Sequence, residues 1–164
     1  MSRIFTKTGD EGMTRLADGT QVQKTDIRIE ANGCLDELNA TLGMAKALIK
    51  ETDTPLVATI ERIQNNLMDI MAVVAGCQKD CSIFEEETNL MESIMRTPKT
   101  PFKFVLPGQN TENAALHTAR AKARTCERRL WEVDTTYNIP HTILVYINRL
   151  SDYLFFLAEK NQHG

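Results

Sequence analysis

Residues 104–130, FVLPGQNTENAALHTARAKARTCERRL, open on a proline-stopped extended segment and pass into a long helical pattern. Arg120, Arg124 and Arg128 recur every four residues and so share one helical face, with Glu127 three residues after Arg124 and within reach of it. Like charges at that spacing repel by roughly 0.2–0.5 kcal/mol per pair, so the stack needs a counter-charge. A polyphosphate supplies one, because guanidinium groups fork onto phosphate oxygens. A helix C-terminus is the other explanation, since its macrodipole favours cations such as Arg124, Arg128 and Arg129. Spacing alone leaves both open.

The chain has 164 residues, 42% of them hydrophobic and 25% charged, which suits one globular domain over 1–164 with a substantial core. A net charge of −3 gives no general pull towards nucleic acid or an anionic membrane, so a phosphate ligand must be held by a local cluster. The opening MSRIFTKTGDEG lacks the apolar core of a signal peptide, and no apolar run spans a bilayer. The expected compartment is therefore the cytoplasm, with no membrane and no nucleic-acid partner. Of four cysteines, Cys34 and Cys126 fall in helical patterns as small apolar residues. Cys77 and Cys81 have no second pair or nearby histidine to complete a zinc site, so no metal ligands are expected and the thiols read as reduced.

Outward from the arginine stretch, residues 1–24 form an irregular arm, TKTGDEGMTRLADGTQVQK at its centre. Gly9, Gly12 and Gly19 permit positive φ, and successive N–H groups in such a loop can form a phosphate nest. The GxxxxGK(S/T) spacing of a P-loop is missing, and a plain surface turn explains the same glycines. From Thr25 to Glu51, Ile27, Ala31, Cys34, Leu38, Leu42, Ala45 and Ile49 recur at helical steps. A second helix runs from Pro55 to near Gly76, with Leu56, Ile60, Ile63, Leu67, Ile70 and Val74 inward. A shorter one covers Glu85 to Arg96, and TPKTP after it cannot stay helical. The arginine helix is expected over Thr111–Val133, followed by a loop, DTTYNIP. A last helix runs from Pro140 or His141 to Lys160, with Ile143, Ile147, Leu150, Leu154, Phe155 and Ala158 inward. Five helices with almost no strand signal predict an all-α five-helix bundle over 25–161 behind a glycine-rich N-terminal arm.

Four segments fall in one order: TKTGDEGMTRLADG, KTDIRIEANGCLDELNATLG, FVLPG with LHTARAKARTCERR, and YINRLSDYLF. Together they resemble the PduO-type ATP:corrinoid adenosyltransferases, from Thr6 to about Phe155. The resemblance implies transfer of the 5′-deoxyadenosyl group from ATP to reduced cobalamin, with magnesium (Mg²⁺) on the phosphates and a homotrimer whose sites lie between subunits. It implies that the arm (Thr6, Lys7, Thr8, Gly9, Gly12, Thr14) and Lys24 wrap the ATP phosphates, with Arg28 and Glu30 in the same motif. Asp36 is implied to bridge to Arg120 across a subunit boundary, and Arg124 to hold phosphate. Glu127 and Arg128 match the end of the family's RRxER motif. Phe104 is implied to cover the lower face of the corrin, and Asn148 to contact the nucleotide. A cobalamin-dependent acceptor enzyme and a reductase are the further partners expected.

The chain departs from the family pattern at Thr125, where a second arginine is common, at Gln109 after the LPG turn, and at Asn32 and Cys34. These bear on affinity and corrinoid preference more than on reaction class. His117 and His141 read as structural or surface residues. Two other functions fit parts of the pattern: a corrinoid carrier that does not adenosylate, and a helical ATP-binding regulator. Intact phosphate residues argue against the first, and Phe104 with its turn argues against the second.

Overall fold

The computed structural model describes residues 7, 9–49, 53–96 and 105–160, so Thr6, Thr8 and Phe104 lie outside the described residues. Five helices carry them: α1 (Ile27–Leu48), α2 (Thr54–Val74), α3 (Ile83–Met95), α4 (Thr111–Tyr137) and α5 (His141–Lys160). Three starts are fixed by side chains that satisfy free N–H groups of the first turn. Asp26 accepts from the Arg28 N–H at 2.9 Å, Asp53 from Leu56 at 3.2 Å and Asn110 from Asn113 at 2.8 Å.

The expected α2 stripe, Leu56 to Val74, is buried throughout, and so are Ala31, Cys34, Leu38, Leu42 and Ala45 of α1. Leu35 is buried as well, off that stripe, because α1 packs on both α2 and α4. α5 is buried on most sides: Leu144, Tyr146, Tyr153, Phe156 and Leu157 join the expected Ile143, Ile147, Leu150, Leu154 and Ala158. Phe155, expected inward, is only half-buried, lying edge-on against His117 of α4 at the margin of the core. The Tyr146 hydroxyl accepts from Asn66 of α2 at 3.2 Å, and its ring tilts against Phe84 of α3 at 5.3 Å. Such contacts on opposite sides make α5 the spine of the bundle. Truncating one of its buried leucines to alanine costs about 2–5 kcal/mol. No helix of the described residues is long and apolar enough to cross a membrane.

α1 and α4 run antiparallel, as three contacts in reverse order show. Glu30 meets Arg129 at 3.5 Å, Cys34 meets Cys126 at 3.2 Å, and Glu37 pairs with Lys122. α4 then packs on α5, α5 on α3, and Arg62 of α2 meets Glu87 of α3 at 3.1 Å, so the ring closes.

Two features of secondary structure depart from the sequence expectation. The arm contains a hairpin, β1 (Met13–Arg15) against β2 (Gln21–Gln23), with Thr14 opposite Val22. Strands of three residues carry too little alternation to be seen in sequence. The hairpin tip docks on the end of α2: the Asp18 N–H donates to the Ala75 carbonyl at 3.3 Å, and the Asp18 carboxylate fills the space a Gly76 Cβ would need. The second departure is that α4 continues one turn past Val133 to Tyr137. It stops on Asn138, left-handed at φ 53°, while Asp134 accepts the Ile139 N–H at 2.7 Å.

Candidate active site

The hairpin returns the chain so that Lys24 faces the loop it left. Its N–H donates to the Gly12 carbonyl at 2.9 Å, and its Nζ lies 3.2 Å from where a Cβ on Gly9 would stand. Gly12 holds φ +80°, a conformation that favours glycine. The sequence thus brings Gly9, Gly12 and Lys24 together, with Thr14 in β1 and Lys7 exposed at the head of the loop. Arg28, by contrast, is engaged inside the chain. Its Nε and Nη2 donate to the two oxygens of Asp26 at 3.0 and 2.8 Å, and its guanidinium stacks 3.8 Å over Tyr137. That hydrogen bond from Arg28 holds the Asp26 carboxyl below the usual carboxylate range.

α4 presents the three arginines differently. The half-buried Arg120 donates from Nε to His117 Nδ1 at 3.3 Å. Arg128 folds back, giving Nη1 to the Arg124 carbonyl at 3.1 Å and Nη2 to Thr125 Oγ1 at 3.2 Å. Arg124 is exposed, and its guanidinium has no partner among the described residues; nor does the Glu127 carboxylate. The extended α4 bears on one of the two explanations for the arginine spacing, the helix-end macrodipole. Its end lies at Tyr137, 13 residues beyond Arg124 (137 − 124), and its last turn carries no basic residue. A macrodipole acts within the terminal turn, so it does not explain these cations.

Asp36 and Asn148 are exposed on α1 and α5. The antiparallel register sets Asp36 level with Arg124 along the α1–α4 pair, yet no ion pair joins Asp36 to Arg120 or Arg124 within the chain among the described residues. On the other side, His117 faces Glu159 and Asn113 faces Ala158, which sets Asn148 level with the Arg124–Arg128 stretch. No hydrogen bond or ion pair among the described residues links the arm to the arginine face. The arm and the arginine face are thus two separate polar features of the described chain.

Three polar residues meet beneath this face: Asn113 and Glu159, which the sequence reading passes over, and His117, which it places among structural or surface residues. Asn113 is 2% exposed, and its Oδ1 accepts from the Gly108 and Gln109 N–H groups at 2.9 and 3.3 Å. Its Nδ2 donates to the Ala158 carbonyl at 3.1 Å and to Glu159 Oε1 at 3.3 Å. His117 Nε2 lies 3.0 Å from the same Glu159 oxygen. A signal was present: Asn113 and His117 are four apart on the apolar face of α4, where polar residues need partners. Cys34 and Cys126, at the α1–α4 seam, are free thiols, and burial pushes the Cys126 thiol up.

Comparison with known proteins is consistent in its direction. A family model described as cobalamin adenosyltransferase matches residues 4–161. The chain is 37% identical to a corrinoid adenosyltransferase of Citrobacter freundii, covering 96% of this chain and 94% of that protein. It is 36% identical to one of Bacillus subtilis, over 95% and 84% of the two chains. A PduO corrinoid adenosyltransferase of Citrobacter freundii is 38% identical over 98% of this chain, which spans about half that relative's length, 50%. A phenylalanine-to-histidine variant of a PduO-type ATP:corrinoid adenosyltransferase from Lactobacillus reuteri, complexed with cobalamin and ATP, superposes with a TM-score of 0.83 at 31% identity, covering 98% of this chain and 91% of that one. An arginine-to-lysine variant of the Lactobacillus reuteri enzyme complexed with ATP gives 0.80 at 32% identity, over 98% and 94%.

Proposed function

The chain belongs to the cobalamin adenosyltransferase family, and we propose that it joins the 5′-deoxyadenosyl group of ATP to the cobalt of reduced cobalamin, giving adenosylcobalamin and triphosphate. Its relatives are corrinoid adenosyltransferases, and it is an enzyme of that class. The observation that carries the reading is Arg124: an exposed guanidinium in mid-helix with no partner among the described residues, on a cationic face that no helix dipole explains.

Cobalt(I) is a strong nucleophile that attacks the 5′ carbon in line. A carbon–cobalt bond forms, the carbon–oxygen bond breaks, and the electron pair leaves on triphosphate. Such a transfer calls for positioning and charge neutralisation more than for a protein acid or base. Arg124 and Arg128 meet the phosphates from α4, with Glu127 beside them. The arm, Thr6 to Thr14, wraps them together with Lys24, and Arg28 braces the root of that arm through Asp26 and Tyr137. Asn148 contacts the nucleotide. The role proposed for Phe104, which lies outside the described residues, is to cover the lower face of the corrin and keep out water, leaving a cobalt that is easier to reduce.

The separation of the arm from the arginine face within the described chain supports a homotrimer in which the arm of one copy closes over the arginine face of the next. Asp36 then pairs with Arg120 across the boundary, consistent with the absence of that pair within the chain. Among the described residues no group of three or more His, Cys, Asp or Glu side chains could hold a metal. Mg²⁺ would bind with ATP as the counter-ion of its phosphates and would supply charge neutralisation there. The setting is the cytoplasm, in one adenosyltransferase domain served by a reductase that supplies electrons and a cobalamin-dependent enzyme that takes the product.

Two binding measurements test this. Mg·ATP is expected to raise the melting temperature of the purified protein, and cobalamin to change colour on binding. A protein that shifts with Mg·ATP yet leaves the cobalamin spectrum untouched would contradict the reading.

A further inference from the structure

Among the described residues Arg120 has one side-chain atom engaged, the Nε that donates to His117 Nδ1 at 3.3 Å. Arginine carries donors and no acceptor, so Nδ1 must offer its lone pair. The other ring nitrogen, Nε2, lies 3.0 Å from Glu159 Oε1, which can only accept when ionised. The proton therefore sits on Nε2, and the tautomer is fixed from both sides. His117 is 3% exposed and Glu159 8%, with the edge of Phe155 against the imidazole at 5.7 Å. A carboxylate at that depth is tolerable only when hydrogen-bonded. Glu159 accepts from both His117 and Asn113, and the cation of Arg120 balances it through a neutral ring. The arrangement leaves both Nη groups of Arg120 without a partner among the described residues, a fork open to a carboxylate or phosphate.

We propose that His117, locked by Glu159 in the Nε2–H form, is a positioning residue that orients the guanidinium of Arg120 in the adenosyl-transfer site. The proposal rests on the function given above. It assigns a task to a buried polar pair that the transfer itself does not use. Asn113 extends the same network to the turn after Phe104, since its Oδ1 holds the N–H groups of Gly108 and Gln109. The corrin-side turn and Arg120 are thereby referred to one fixed carboxylate on α5.

Two variants separate positioning from mere filling of space. His117→Asn sets an amide oxygen near the place of Nδ1 and keeps an acceptor for Arg120. His117→Gln sets its amide near the place of Nε2 and keeps only the link to Glu159. The first is expected to stay within about threefold of the parent kcat and the second to lose about tenfold or more, at similar melting temperatures. Imidazole ¹⁵N NMR of the intact protein at neutral pH is expected to show His117 protonated at Nε2 and unprotonated at Nδ1. A parent protein that transfers no adenosyl group sinks the function, and the NMR result then still decides the pairing. A proton on Nδ1, or equal losses in the two variants, overturns the proposal.

Discussion

The guanidinium of Arg28 lies 3.8 Å over the ring of Tyr137 while Asp26 grips its edge at 2.8 Å, so the first turn of α1 is clamped to the last turn of α4. Removing the ring by Tyr137→Ala is expected to cost roughly 1–2 kcal/mol, read by urea denaturation. The pair also sets a pH signature. Because Arg28 depresses the Asp26 carboxyl, its contribution is complete above the unfolded value of 3.8 and is lost as pH falls through the lower folded value. The stability gap between parent and Asp26→Asn should be largest at neutral pH and narrow below about pH 4. A gap independent of pH would contradict the assignment.

Gly76 holds φ +92° with the Asp18 side chain in the space of its missing Cβ, whereas Gly19 holds φ +89° with nothing nearby. Both alanine variants carry the cost of a left-handed residue, about 1–2 kcal/mol, and only Gly76→Ala must also displace the hairpin tip. It should therefore be the more destabilised of the two in thermal melts.

Arg124→Ala is expected to raise KM for ATP by about tenfold or more, since a charge-assisted hydrogen bond to phosphate is worth about 1.5–3 kcal/mol. The melting temperature should not move, because that guanidinium has no partner among the described residues. Steady-state kinetics with a melt on the same preparation checks both halves.

Thr125→Val keeps the shape of the side chain and removes the acceptor for Arg128 Nη2. A modest rise in KM for ATP, about twofold to fivefold, is expected from a freed Arg128. An unchanged KM would show that Thr125 does not hold Arg128 for the phosphates.

Phe104→Ala should harm the reaction that starts from cob(II)alamin far more than the one that starts from chemically reduced cob(I)alamin. Equal losses from both cobalt states would remove its assigned role in easing reduction.

The bundle was legible because apolar residues at three- and four-residue steps bury one face of each helix, and every apolar position expected inward on α2 is buried. Periodicity failed where another influence set the geometry. Tyr137 reads as loop because DTTY has weak helix formers, yet Arg28 stacking and the left-handed Asn138 keep the turn helical. The hairpin was hidden because its register depends on Leu16 and Val22 alone as buried side chains. At the site, the arginine spacing was plain, and the family motifs named its neighbours. His117 and Glu159 are 42 residues apart, and no local pattern announces that one fixes the proton of the other.

An anaerobic assay with purified protein, Mg·ATP and chemically reduced cobalamin, following the absorbance of carbon–cobalt bond formation, tests the central claim. Light-sensitive adenosylcobalamin with triphosphate released in equal amount is the expected result. Bound corrinoid with no carbon–cobalt bond formed, under conditions where Mg·ATP also binds, would contradict it.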